Sequence, residues 1–157
     1  MVVLFVCTIL YRRPYIVLTS AKGETHIFHS HEGDVFYLSY IHSVNQSPVT
    51  EVFEIRRGQI VLKELEFETF GAGMPTEVEP GQELVHLPGG GMRIINFNRV
   101  IGYELRVMIA YETEQVFLFG DTFRVPLYSV SEPGQTVSVM FHMLNVWRRV
   151  YLLHLYC

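Results

Sequence analysis

Apolar and polar side chains alternate along most of this chain in short runs separated by Gly, Pro, Asp and Asn. Strict alternation puts every second side chain on one face, the signature of a half-buried strand, and regular turn signals between runs indicate a sandwich or barrel. Residues 15–20 read as a strand, Lys22-Gly23 as a turn and 24–31 as the returning strand. Glu32-Gly33-Asp34 leads into 35–41, and 49–56 with 59–68 form a hairpin around Arg57-Gly58. Within 59–68, Ile60 and Leu62 share one parity but Leu65 and Phe67 the other, which calls for a bulge at Lys63-Glu64. A weak strand at 84–87 precedes Pro88 and the glycines 89–91. The strongest alternation spans 103–111, with Tyr103, Leu105, Val107, Ile109 and Tyr111 on one face. Further strands are expected at 115–119, 125–130 and 136–143, the last with Val137, Val139, Phe141 and Met143 inward. The tail 146–156 fits either a helix or a buried strand. The expected fold is all-β: a single-domain antiparallel β-sandwich, or barrel-like sandwich, of about ten strands.

Composition fits such a domain. Of 157 residues, 49% are hydrophobic, with eleven Phe and nine Tyr. A chain of this length can bury roughly 70% of its unfolded surface. The net charge of −4 and the lack of a basic run leave no electrostatic footprint for nucleic acid. Cys7 and Cys157 lie near opposite ends. Two unpaired thiols are the favoured reading and a bridge between the termini the alternative.

Residues 1–13 form a separate segment ahead of the 14–157 domain. Residues 1–11 are uncharged and almost wholly apolar, and Arg12-Arg13 follow. Eleven helical residues would rise roughly 16 Å, about half a bilayer core. The segment is either a shortened export signal or anchor, or an ordinary apolar strand. A secretory signal carries its basic residues before the apolar run, whereas here they come after it.

Chemistry concentrates at 39–53. If Phe36, Leu38 and Tyr40 face the core, His42 is next on that face, and Glu51 shares the parity of Phe53 and Ile55. Paired as a hairpin, the two strands would bring His42 and Glu51 to the loop end on the apolar side. A carboxylate there would favour imidazolium, and burial would oppose it. With Ser43 and Asn45 they form a candidate ligand-binding set; the bland alternative is that they shape the loop. Ser43 lacks the G-x-S-x-G setting of a nucleophile elbow. Gly71, Gly73 and Met74 sit in a Gly-rich segment where backbone could approach a ligand closely. Arg99 is a candidate anion partner, since guanidinium binds carboxylates in two-pronged fashion. His29 and His31 share a strand face, but no third metal ligand follows from spacing, so neither metal nor cofactor is assigned.

Three segments carry a family resemblance: Ser39-Tyr40-Ile41-His42-Ser43-Val44, Pro48-Val49-Thr50-Glu51-Val52-Phe53 and Phe70-Gly71-Ala72-Gly73-Met74-Pro75. In order and separation they resemble the domain of unknown function 1850 family of bacteria and archaea, across roughly residues 15–139. That family has no established activity, so no catalytic residues carry over. The resemblance implies an extracytoplasmic or membrane-associated companion of tripartite ATP-independent periplasmic (TRAP) transporters of the TAXI type. On that basis the expected function is an accessory module that binds a small organic acid or docks on the transporter's membrane or solute-binding subunits. A structural module without ligand, and a hydrolase or lyase using His42 and Glu51, are the alternatives. A non-enzymatic role is favoured.

Overall fold

The structure, a computed structural model, describes residues 12–70, 74, 75, 77–111 and 114–145. The apolar segment 1–11, the tail 146–157, both cysteines, Gly71 and Gly73 lie outside the described residues.

Twelve strands and one 3-10 turn appear among the described residues: β1 Arg12–Ser20, β2 Thr25–His29, β3 Val35–Ile41, β4 Pro48–Arg56, β5 Gln59–Phe67, β6 Glu83–His86, β7 Met92–Ile95, β8 Arg99–Gly102, β9 Glu104–Met108, β10 Gln115–Phe119, β11 Phe123–Pro126, the turn Leu127–Ser129, and β12 Thr136–Asn145. They form two antiparallel sheets in a sandwich-like arrangement. The smaller has the order β2-β1-β12-β9; the larger runs β11-β10-β3-β4-β5-β7-β6, with β8 also paired to β5. Arg12 and Arg13 fall inside β1, opposite Asn145 and Leu144, so the strand begins within the segment expected to precede the domain.

The main core lies between the sheets. It takes Ile16 and Leu18 from β1, Phe36 and Leu38 from β3, Phe53 and Ile55 from β4, and Val137 and Val139 from β12. Phe36 stacks on Phe53 at 5.0 Å between ring centroids and lies 5.5 Å from Phe117, distances at which aromatic pairs add to simple area burial. β1 is buried on both faces, with Tyr15 and Val17 packing with Leu144 on the side away from this core. That explains its unbroken apolar run, since a strand covered on both sides does not alternate. A second cluster, Val49, Leu65, Phe67, Met74 and Ile94, forms toward the loop end of β4.

The bulge is where parity placed it. Val52 pairs with Glu64 and Phe53 with Leu62, leaving Lys63 as the extra residue. Ile60, Leu62, Leu65 and Phe67 are consequently all buried. Arg57 (φ 53°) and Gly58 (φ 70°) both take positive φ, the requirement of a type I′ hairpin turn. The Glu32 carboxylate accepts hydrogen bonds from the Arg57 and Gly58 amides.

Three expectations need correction. The strand expected at 103–111 ends at Met108 and starts at Glu104, with Tyr103 and Tyr111 exposed. Gly102 turns the chain there at φ 112°, and Gln115 terminates the far end through its side-chain amide. Met143, expected inward, is exposed near the end of β12. The strand expected at 125–130 is β11 followed by the 3-10 turn, because Pro126 lacks the N–H a continuing ladder would use. β7 and β8 carry no alternation that marks them in the sequence; Asn96 (φ 63°) and Asn98 (φ 48°) fold the chain between them. Asn tolerates that left-handed region better than most residues.

Candidate functional site

β3 and β4 pair from Val35↔Glu54 to Ile41↔Pro48, with Leu38 opposite Glu51. Val49, Glu51, Phe53 and Ile55 therefore share the inward face of β4. Glu51 sits at a seam: Phe53 beside it and Leu38 across from it belong to the main core, whereas Val49 beside it and Leu65 across β5 belong to the second cluster. A single carboxylate thus interrupts an otherwise apolar stripe.

A cleft of about 310 Å³ opens at this seam. Glu51, Tyr40 and Gln115 line it from the larger sheet and Leu105–Met108 of β9 from the smaller, with Leu127 of the 3-10 turn beside them. Burial raises the Glu51 pKa above the ordinary carboxylate range. The Tyr40 phenol is pushed up to about 12, first by burial and second by the charge of Glu51, so it stays protonated at neutral pH. No described residue offers Glu51 a hydrogen bond or an ion pair. Arg106, which also lines the cleft, engages Glu104 at 3.2 Å.

The other candidates are distributed differently. His42 follows the last residue of β3, four residues beyond the partner of Glu51. At about 3.4 Å per residue this is a separation of about 14 Å along the strand, too far for the two side chains to bond. Instead, His42 Nδ1 accepts from the amides of Val44 and Asn45, both at 3.3 Å. Its own amide donates to Ser47 O at 2.9 Å and its carbonyl accepts from Gln46 N at 2.8 Å. The imidazole acts as the internal cap of a six-residue loop, doing what an Asx side chain does in a turn. The expected meeting of His42 and Glu51 at the loop end is corrected: the hairpin register sets them apart.

Ser43 is exposed, and its carbonyl accepts from Gln46 Nε2 at 2.6 Å. Asn45 Nδ2 is buried without a hydrogen-bond partner among the described residues. Met74 is buried in the second cluster, so this end of the Gly-rich segment packs as core. Arg99 lies on β8, 3.8 Å from Glu79 and 5.6 Å above the Phe97 ring, away from the cleft. His29 and His31 have ring centroids 4.6 Å apart, but no group of three metal-ligating residues occurs among the described residues.

Sequence reasoning therefore found Glu51 and missed what surrounds it. The parity argument turns Tyr40 toward the core without setting it beside Glu51. Gln115 gave no local signal, because it meets the cleft only through the long-range pairing of β10 with β3, where it lies opposite Tyr40.

A family model for the domain of unknown function DUF1850 matches residues 36–124, more than half of the chain. The chain belongs to the DUF1850 family. The matched span holds all of β3 but its first residue, β4 to β10 entire and the start of β11, and so contains Glu51, Tyr40, β9 and Gln115. It is narrower than the 15–139 resemblance read from the motifs: β1, β2 and β12, three of the four strands of the smaller sheet, lie outside it. No curated protein and no solved structure matches the chain.

Proposed function

We propose that this DUF1850 domain is a non-enzymatic accessory module of a TAXI-type TRAP transport system, acting outside the cytoplasm by docking on a transporter subunit through the Glu51 cleft. The observation that carries a binding role is the half-buried carboxylate at an apolar seam: a partly desolvated charge without a protein partner is costly, and an incoming partner relieves the cost. The transporter context rests on the resemblance to the family's TRAP companions. Because the group on the cleft wall is acidic, the cleft favours a positively charged or hydrogen-bond-donating partner over an organic-acid anion, which would face like charge. Docking is thus the better supported of the two accessory roles. A hydrolase reading is disfavoured by the separation of His42 from Glu51 and by the engagement of its Nδ1 with loop amides.

Co-expression with the membrane and solute-binding subunits of a TAXI-type system tests this reading. The wild-type chain should co-purify with one of them, and Glu51→Gln should weaken the association. Failure to co-purify with either subunit, under conditions where both are folded and abundant, would refute it. A thermal-shift screen against organic acids runs in parallel: a shift lost in Glu51→Gln would favour solute capture instead.

A further inference from the structure

Among the described strands, β9 lies at an edge of the smaller sheet. It pairs with β12 along one side, and no described strand lies along the other. Its odd residues face β12: Tyr103 O accepts from Phe141 N, and Ile109 N donates to Gln135 O. The backbone groups of Glu104, Arg106 and Met108 consequently point toward the free side, since successive residues of a strand present their N–H and C=O to opposite sides.

One part of that free side is already occupied in an informative way. The Gln115 side-chain amide accepts from Ala110 N at 2.8 Å and donates to Met108 O at 3.2 Å. One carbonyl and one N–H thus bridge the residues on either side of Ile109, the pattern a neighbouring peptide strand would make. Beyond Gln115 the N–H and C=O of Arg106 have no hydrogen bond with a described residue. The same stretch, Leu105–Met108, walls the cleft whose opposite side carries Glu51.

We propose that the free edge of β9 accepts an extended peptide segment of a protein partner as an added strand, and that a lysine or arginine of this segment reaches across the cleft to Glu51. An added strand lies about 4.8 Å from β9, and its alternate side chains project toward the facing sheet about 10 Å away. Only a long side chain spans that gap; a lysine ammonium sits about 6 Å from its Cα, and the glutamate covers most of the rest. Main-chain hydrogen bonds to Arg106 supply sequence-independent affinity, and the pairing with Glu51 selects a basic residue. The inference rests on the docking reading of the cleft and specifies the chemistry of the docked element.

The test uses the full chain and three probes: a capped heptapeptide of alternating Thr and Val with a central lysine, the same peptide with norleucine in its place, and n-butylamine. Calorimetric titration should show the lysine peptide binding about tenfold or more tightly than the norleucine peptide, as expected for a charge-assisted contact. Glu51→Gln should abolish that preference. Hydrogen exchange at the Arg106 amide should slow when the lysine peptide binds. Arg106→Pro, which removes the edge-facing N–H and is tolerated best on edge strands, should lose peptide binding. No binding of either peptide by the wild-type chain, equal binding of both, or butylamine binding as tightly as the lysine peptide would overturn the proposal. If a transporter subunit co-purifies and Arg106→Pro leaves that unchanged, docking stands and strand addition falls. If the lysine peptide binds while no subunit co-purifies, strand addition stands and the transporter assignment falls.

Discussion

Glu51→Gln keeps the shape of the side chain and removes its charge, which isolates the cost of holding a carboxylate at the apolar seam. Burial raises the folded-state pKa of Glu51 above its unfolded value, which is about 4.3 for a free glutamate. For an acid raised in this way, its stabilising contribution is complete below the unfolded pKa and is lost as pH rises through the folded one. The Gln variant suffers no such loss. Wild type and variant should therefore unfold together below about pH 4.3 and separate above the folded pKa, with the variant more stable. A fully buried acceptor left without a partner costs about 1–3 kcal/mol, and Glu51, half-buried on the wall of the cleft, keeps part of its hydration. The amide recovers part of the remainder, so a gain of about 0.5–1 kcal/mol is expected, or about 1–4 °C in Tm for a domain of this size. Thermal unfolding followed by circular dichroism across the acid-to-neutral range measures both curves, and titrations common to the two proteins cancel in their difference. A Gln variant no more stable than wild type at neutral pH would mean that the carboxylate is already compensated, removing the basis for a vacant binding partner.

Three further outcomes follow from other parts of the fold. His42→Ala should cost about 1 kcal/mol, the scale of a lost backbone cap, and speed exchange of the Val44 and Asn45 amides; His42→Asn should restore much of it, and unchanged exchange in His42→Ala would refute the capping role. Arg57→Asn should stabilise by about 0.5–1 kcal/mol, because Asn accepts the left-handed conformation held at φ 53° with less strain; a lower denaturation midpoint would count against the strain. Gly134→Ala should cost about 1–2 kcal/mol: φ is 80°, and a Cβ there would lie 2.5 Å from the exposed Tyr111 hydroxyl. Most of that loss should persist in a Tyr111→Ala background, since the ring can swing away and the backbone angle cannot; full rescue would assign the cost to the ring.

The local alternation of the sequence determined most of the longer strands, the Arg57-Gly58 turn and the bulge at Lys63, because a period of two and a requirement for positive φ are properties of adjacent residues. It also determined that Glu51 faces inward, since its parity is fixed by Phe53 and Ile55 on the same strand. Short strands escaped that reading: β7 and β8 have four residues each and are flanked by asparagines whose left-handed backbone no periodicity reveals. Only the tertiary structure decided what Glu51 meets. The hairpin register put Leu38 rather than His42 across from it, the pairing of β10 with β3 carried in Gln115, and the stacking of the two sheets brought β9 over the cleft. Each depends on residues distant in sequence, whose contacts are set by how sheets pair and stack and not by the pattern within any one strand.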